Sequence, residues 1–112
     1  MAAGDTMIGR RIPVGKDGRI PEAFYGDPLP GDYCGPVSGY TGEKASVVFL
    51  LPNARDADAP ASARGIQYVC SPPHVFRECA DGSLEIRESI SDQPRSTGWH
   101  GYLDEGHRWR QV

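Results

Sequence analysis

Three features of the 112-residue sequence predict an all-β fold, a small antiparallel sandwich or open barrel of about five strands. Short runs of β-branched and aromatic residues alternate with turn signals. Helical periodicity is nearly absent. The last third, His74 to Val112, reads as two consecutive hairpins holding both tryptophans.

In the first hairpin, Val75 and Phe76 lead into Ala80-Asp81-Gly82-Ser83, after which Leu84 and Ile86 alternate with Glu85 and Arg87. Asp-Gly between such runs is a strong hairpin signal, because the turn needs positive φ. In the second, Trp99, Gly101 and Leu103 share one face, and Trp109 and Gln111 return opposite them. A glycine inside a strand marks a bulge or a close approach, here a ring crossing over Gly101. Trp99-His100-Gly101-Tyr102 reads either as an aromatic contact patch or as core plus one hydrogen-bonded histidine. Arg108 and Arg110 around Trp109 suggest an edge strand guarded by charge.

Upstream, Ala45 to Pro52 is a continuous apolar run too short for an ordinary helix, and it predicts a fully buried strand. Asn53 to Gly65 is small, polar and interrupted by Pro60, which predicts an exposed loop with room for one helical turn. Ile66 to Cys70 is the next strand, ended by Ser71-Pro72-Pro73, and Ser91 to Gly98 links the hairpins. The expected core is Phe49, Leu51, Tyr68, Phe76, Leu84, Ile86, Trp99 and Leu103.

Residues 1–45 differ from the rest. They hold nine of the 14 glycines and five of the 10 prolines, and no apolar period persists. The division expected is an extended Gly/Pro-rich arm over 1–45 and a β-domain over 46–112. Yet the arm carries more Ile, Phe and Tyr than an inert tail would. Ordering it costs about 1 to 2 kcal/mol per residue in backbone entropy, so compensating contacts must exist. Ile8, Ile12, Ile20, Phe24 and Tyr25 are the expected partner-binding anchors.

Net charge −3 makes no electrostatic case for nucleic acid or an anionic membrane. No apolar run approaches the roughly 18 to 20 residues of a transmembrane helix. The N-terminus lacks the apolar segment of a secretory signal. The expected location is therefore a cytoplasm, or a particle assembled there. Three cysteines in a reducing compartment default to thiols. Cys70, His74, Cys79 and His100, with Cys34, are ligand types that zinc accepts, but at irregular spacing. His74 and Cys79, an odd number apart, face opposite sides of a regular strand. No metal and no cofactor is expected. No local pattern supports a thiol–imidazole pair or another catalytic motif, so no enzyme activity is expected either.

The segments HVFRECADGSLEIRESIS and GWHGYLDEGHRW resemble a family of small bacteriophage and prophage proteins. The resemblance rests on His74, Asp81-Gly82-Ser83, Ser89-Ile90, Trp99 to Leu103, Gly106 and Trp109-Arg110, with Pro52-Asn53 upstream. Arg87-Glu88 stands where the family has Ser-Pro, and His107-Arg108 adds a residue before Trp109. The likeness covers about half of the chain, leaves residues 1–45 unexplained, and implies a phage origin without supplying a catalytic residue. The function expected is protein binding: a virion decoration, cement or tail component contacting other subunits or copies of itself. A small inhibitor of a host protein and a zinc-stabilised module are the alternatives.

Overall fold

The computed structural model describes residues 3–38, 42, 44–52, 66–91 and 99–112. The loops expected over 53–65 and 92–98 lie outside these. Nine strands and one short helix follow in order. They are β1 (Thr6–Ile8), β2 (Arg10–Ile12), α1 (Glu22–Gly26), β3 (Asp32–Val37), β4 (Ala45–Leu50), β5 (Ile66–Ser71), β6 (Val75–Glu78), β7 (Leu84–Ser91), β8 (His100–Asp104) and β9 (Arg108–Gln111).

They form a two-sheet sandwich. One sheet has the order β1-β9-β8-β7-β6 and the other β2-β3-β4-β5. All pairs are antiparallel except β2 with β3. The chain passes between the sheets at Gly9, linking β1 to β2, and again through Pro72 to His74, linking β5 to β6. Both expected hairpins are present. Leu103 lies across from Trp109 and Gly101 across from Gln111, and Phe76 lies across from Ile86.

The main core lies between the sheets. Tyr33, Val47, Phe49, Leu51, Leu84, Ile86, Ile90, Trp99, Leu103 and Trp109 are buried there together. Trp109 is the hub: its ring meets Trp99 edge-on at 5.6 Å, Phe49 at 5.5 Å and Tyr33 at 6.3 Å. Its indole N–H donates to the Gly31 carbonyl at 2.8 Å, meeting the need of a buried polar edge for a partner. The Trp99 ring does cross Gly101: a Cβ there would come within 2.6 Å of it and 2.1 Å of the Arg110 carbonyl.

A second, smaller core covers the other face of the four-stranded sheet. Phe24, Cys34 and Val48 are buried there, with Ile12, Val14, Ile20, Tyr25 and Ile66 packed around them. This double cover explains why β4 is apolar without alternation. Val47, Phe49 and Leu51 face the main core, while Val48 faces the smaller one. Burial in that thiol-bearing cluster pushes the Cys34 pKa up to about 11.

Several expectations need correction. The sandwich has nine strands among the described residues, not about five. Residues 1–45 are not an arm outside the fold: they supply β1, β2, β3 and α1, and the expected boundary at residue 45 runs through both sheets. Strands of three to six residues interrupted by Gly and Pro leave no lasting period to read. In β3, Gly35 (φ 136°) and Pro36 shift the register between Cys34 and Val37. Tyr68 is 50% exposed because it lies on the outer face of an edge strand. Phe76 is only partly buried. Finally, β9 is no edge, since β1 pairs with it. Arg108 and Arg110 occupy the solvent face of an interior strand, a pattern that an edge strand would share.

Candidate protein interface

The five expected anchors have mostly been used inside the fold. Phe24 is 2% exposed, and Ile12, Ile20 and Tyr25 pack around it. Their burial holds residues 10–26 against the four-stranded sheet, so their contacts come from this chain. Ile8 alone of the five stays open, 63% exposed on the outward face of β1.

The metal candidates are dispersed. Cys34 sits in the smaller core. Cys70 lies on the same outer face, its Sγ 3.3 Å from the Ser46 hydroxyl. Cys79 is buried beside the first hairpin turn, where Sγ donates to the Arg77 carbonyl. His74 Nε2 donates to the Ser89 carbonyl at 3.1 Å. His100 is exposed at the start of β8, rather than hydrogen-bonded within the core. Among the described residues no three His, Cys, Asp or Glu side chains are grouped to hold a metal ion. No disulfide links the cysteines. A chelator is therefore expected to leave the melting temperature unchanged. A drop of several degrees in EDTA, reversed by zinc, would contradict this.

One rim of the sandwich is closed by a polar cluster. Arg11, from β2, reaches across to the other sheet and donates to both Glu78 carboxylate oxygens at 2.6 Å. It also donates to the carbonyls of Gly82 at 3.1 Å and Gly35 at 2.8 Å. A concavity of about 390 Å³ opens beside it, lined by Arg11, Ile12, Pro13, Val14, Gly82 and His107 among others. With its fork directed at these four acceptors, Arg11 acts there as a clamp between sheets. Behind it, the buried Tyr33 hydroxyl accepts from the Leu84 N–H at 3.2 Å and hydrogen-bonds His107 Nδ1 at 2.7 Å. Burial pushes the Tyr33 phenol up. The Ser83 hydroxyl donates to Asp81 at 2.5 Å and accepts the Gly106 N–H at 2.9 Å, tying the two hairpin turns together.

This rim has an acid signature. The Arg11 hydrogen bonds hold the Glu78 carboxyl below its ordinary 4.5, and the Ser83 hydrogen bonds hold Asp81 below 3.8. A carboxyl depressed in the folded state stabilises it above the unfolded value, and that stabilisation is lost as pH falls through the folded one. Thermal melts should therefore show a loss that begins near pH 4.5 and deepens below. Arg11→Met should flatten the part due to Glu78. An unchanged acid slope in that variant would remove the assignment.

The outward face of the five-stranded sheet carries Arg77, Arg87 and Arg110, but its charges pair locally. Arg77 and Arg87 both reach Glu85, at 3.1 and 3.0 Å. Arg110 reaches Asp104 at 2.8 Å and covers the Tyr102 ring at 4.6 Å. Such exposed pairs contribute little, and they make this a solvated face.

The edges tell more. Edge strands invite pairing with another chain, and proteins commonly blunt them with charge or brevity. β1 is three residues long. β2 is three residues and carries Arg10 and Arg11. β6 carries Arg77 and Glu78. β5 is different: Ile66-Gln67-Tyr68-Val69-Cys70-Ser71 is six residues long with no charge, glycine or proline. Among the described residues it ends the four-stranded sheet, pairing with β4 along its length. Tyr68 projects from it half exposed, and Val75 of the neighbouring edge is 52% exposed. The sequence does show this run, but only the topology reveals that it is an edge.

Among the described residues, this structure thus defines an all-β sandwich with one long, uncharged edge. Comparison of the chain with protein-family models, with curated proteins and with solved structures found no match.

Proposed function

We propose that this protein works by binding other proteins rather than by catalysis, as a structural or accessory component of a virion. The virion setting comes from the likeness of His74 to Arg110 to phage proteins. The mode of binding in this reading is strand addition at the β5 edge rather than capture through an N-terminal arm, because Phe24 and its neighbours are packed inside the fold. The single observation that supports it is the uncharged six-residue strand that ends the four-stranded sheet among the described residues, with Tyr68 half exposed. Main-chain hydrogen bonds along such an edge supply affinity, and the alternating side chains supply selection. A run of this composition is also an aggregation hazard if left uncovered, which favours a working state in which a strand covers it.

The test is quantitative mass spectrometry of purified particles from cells producing the intact protein or its Tyr68→Lys variant. Many copies per particle for the intact chain and a large loss for the variant are expected. Absence of the intact chain from particles, with a stable complex on a host protein instead, would replace the virion reading by the inhibitor one.

A further inference from the structure

We infer that β2 is an acid-released strap: protonation of Asp32 and Glu78 frees it from both sheets and uncovers Cys34 while the rest of the sandwich stays folded. The inference goes beyond the protein-binding reading and does not depend on it.

The strap is held mainly by its two arginines. β2 has three residues and, among the described residues, pairs on one side only, with β3. Arg10 forks onto Asp32 of β3, with Nε donating to Oδ1 at 3.1 Å and Nη2 to Oδ2 at 2.8 Å. Arg11 forks onto Glu78 of β6, at 2.6 Å to each carboxylate oxygen. Among the described residues β2 and β6 are outer strands of the two sheets, so the second fork ties one sheet's edge to the other's. Both forks need an ionised carboxylate, because a protonated one carries a donor where a second N–H would bind. Once the charges are gone the two arginines differ. Arg10 is 59% exposed and can turn to water. Arg11 is only 20% exposed, so without its counter-charge it has to leave the rim, and β2 moves with it.

The groups facing the strap single out the carboxylates as the trigger. Besides Glu78, Arg11 lies near Tyr33 and Cys34 of β3. Burial pushes the Tyr33 phenol up and the Cys34 thiol up to about 11, so acid leaves both neutral. Asp81 and His107 come from the two hairpin turns. Asp81 is bound by Ser83, so a proton there loosens the turn and not β2. A proton on His107 adds a cation to the concavity that Arg11 also lines, which works in the same direction as discharging Glu78.

Opening here is local. Ile12 lies across from Cys34 in the ladder and packs with it, Phe24 and Val48 in the smaller core. Cys34 is completely buried, so release of β2 opens its thiol. The main core around Trp99 and Trp109 lies between the sheets, and β3 keeps its pairing with β4. The Gly9 N–H, held by the His107 carbonyl, and the buried Phe24 anchor the segment on either side. Detaching a short outer strand costs far less than unfolding the whole.

The test labels the full chain with dithiodipyridine, a thiol reagent that works in acid, at about pH 7 and about pH 4. Peptide mapping locates the modified cysteines, and each rate is divided by that of the urea-unfolded chain at the same pH. On this scale Cys34 labelling should rise by about tenfold or more at the lower pH, with the near-ultraviolet circular dichroism of the tryptophans unchanged. Glu78→Gln, at a solvent-exposed position, imitates the protonated carboxyl. It should raise Cys34 labelling already at the higher pH and flatten the pH dependence. Labelling that rises only together with loss of the near-ultraviolet signal would mean global unfolding and overturn the strap. A Glu78→Gln variant that labels like the intact chain at the higher pH would overturn it too.

Discussion

Trp99→Ala is expected to lower the unfolding free energy by about 3 to 5 kcal/mol, the usual cost of truncating a large buried aromatic. The side chain is completely buried, packs edge-on against Trp109, and roofs Gly101. Removing it leaves a void among Trp109, Leu103 and their neighbours that a two-sheet core fills poorly, because both backbones are held by ladder hydrogen bonds. Against a typical total of about 5 to 15 kcal/mol, that loss takes much of the stability. Urea titration followed by near-ultraviolet circular dichroism measures it directly. A loss below about 1 kcal/mol would mean that the tryptophan pair does not organise the core.

Gly9→Ala is expected to cost about 3 kcal/mol, from overpacking together with loss of a buried hydrogen bond. Gly9 is where the chain leaves the five-stranded sheet for the four-stranded one. A Cβ there would lie 2.2 Å from the Gly31 carbonyl oxygen and 2.6 Å from Nε1 of Trp109. Those two atoms are partners in the 2.8 Å indole hydrogen bond, so the methyl group would wedge the bond apart. The Gly9 N–H also donates to the His107 carbonyl at 2.7 Å, which limits any retreat of the backbone. Gly26→Ala is the control. Nothing lies within 4 Å of its Cβ position, so that change should be neutral or stabilise by up to about 1 kcal/mol. Equal denaturation midpoints for the two variants would show that the crossing at Gly9 tolerates a side chain.

The two variants also bear on how the fold is specified. Trp99, Gly101 and Trp109 lie on one hairpin, so their pairing is legible from alternation and a turn signal alone. Gly9 and Gly31 acquire meaning only when Trp109 arrives between them, from 100 and 78 positions away along the chain.

What the sequence by itself determined is therefore local. The hairpins over residues 75–91 and 99–111, the buried run of β4, and the ring over Gly101 all follow from period-two patterning and turn residues, which act over a few positions. Tertiary structure alone decided the rest. It drew residues 6–37 into both sheets, through strands too short to show a period. It turned Phe24 and its neighbours from candidate anchors into a second core, because the sheet beneath them has an apolar outer face to cover. It made β9 an interior strand and β5 an edge, although charge content suggested the reverse for β9. Strand order depends on which distant segments compete for the same ladder, and that competition is settled by the summed burial of the whole sandwich rather than by any short stretch of side chains.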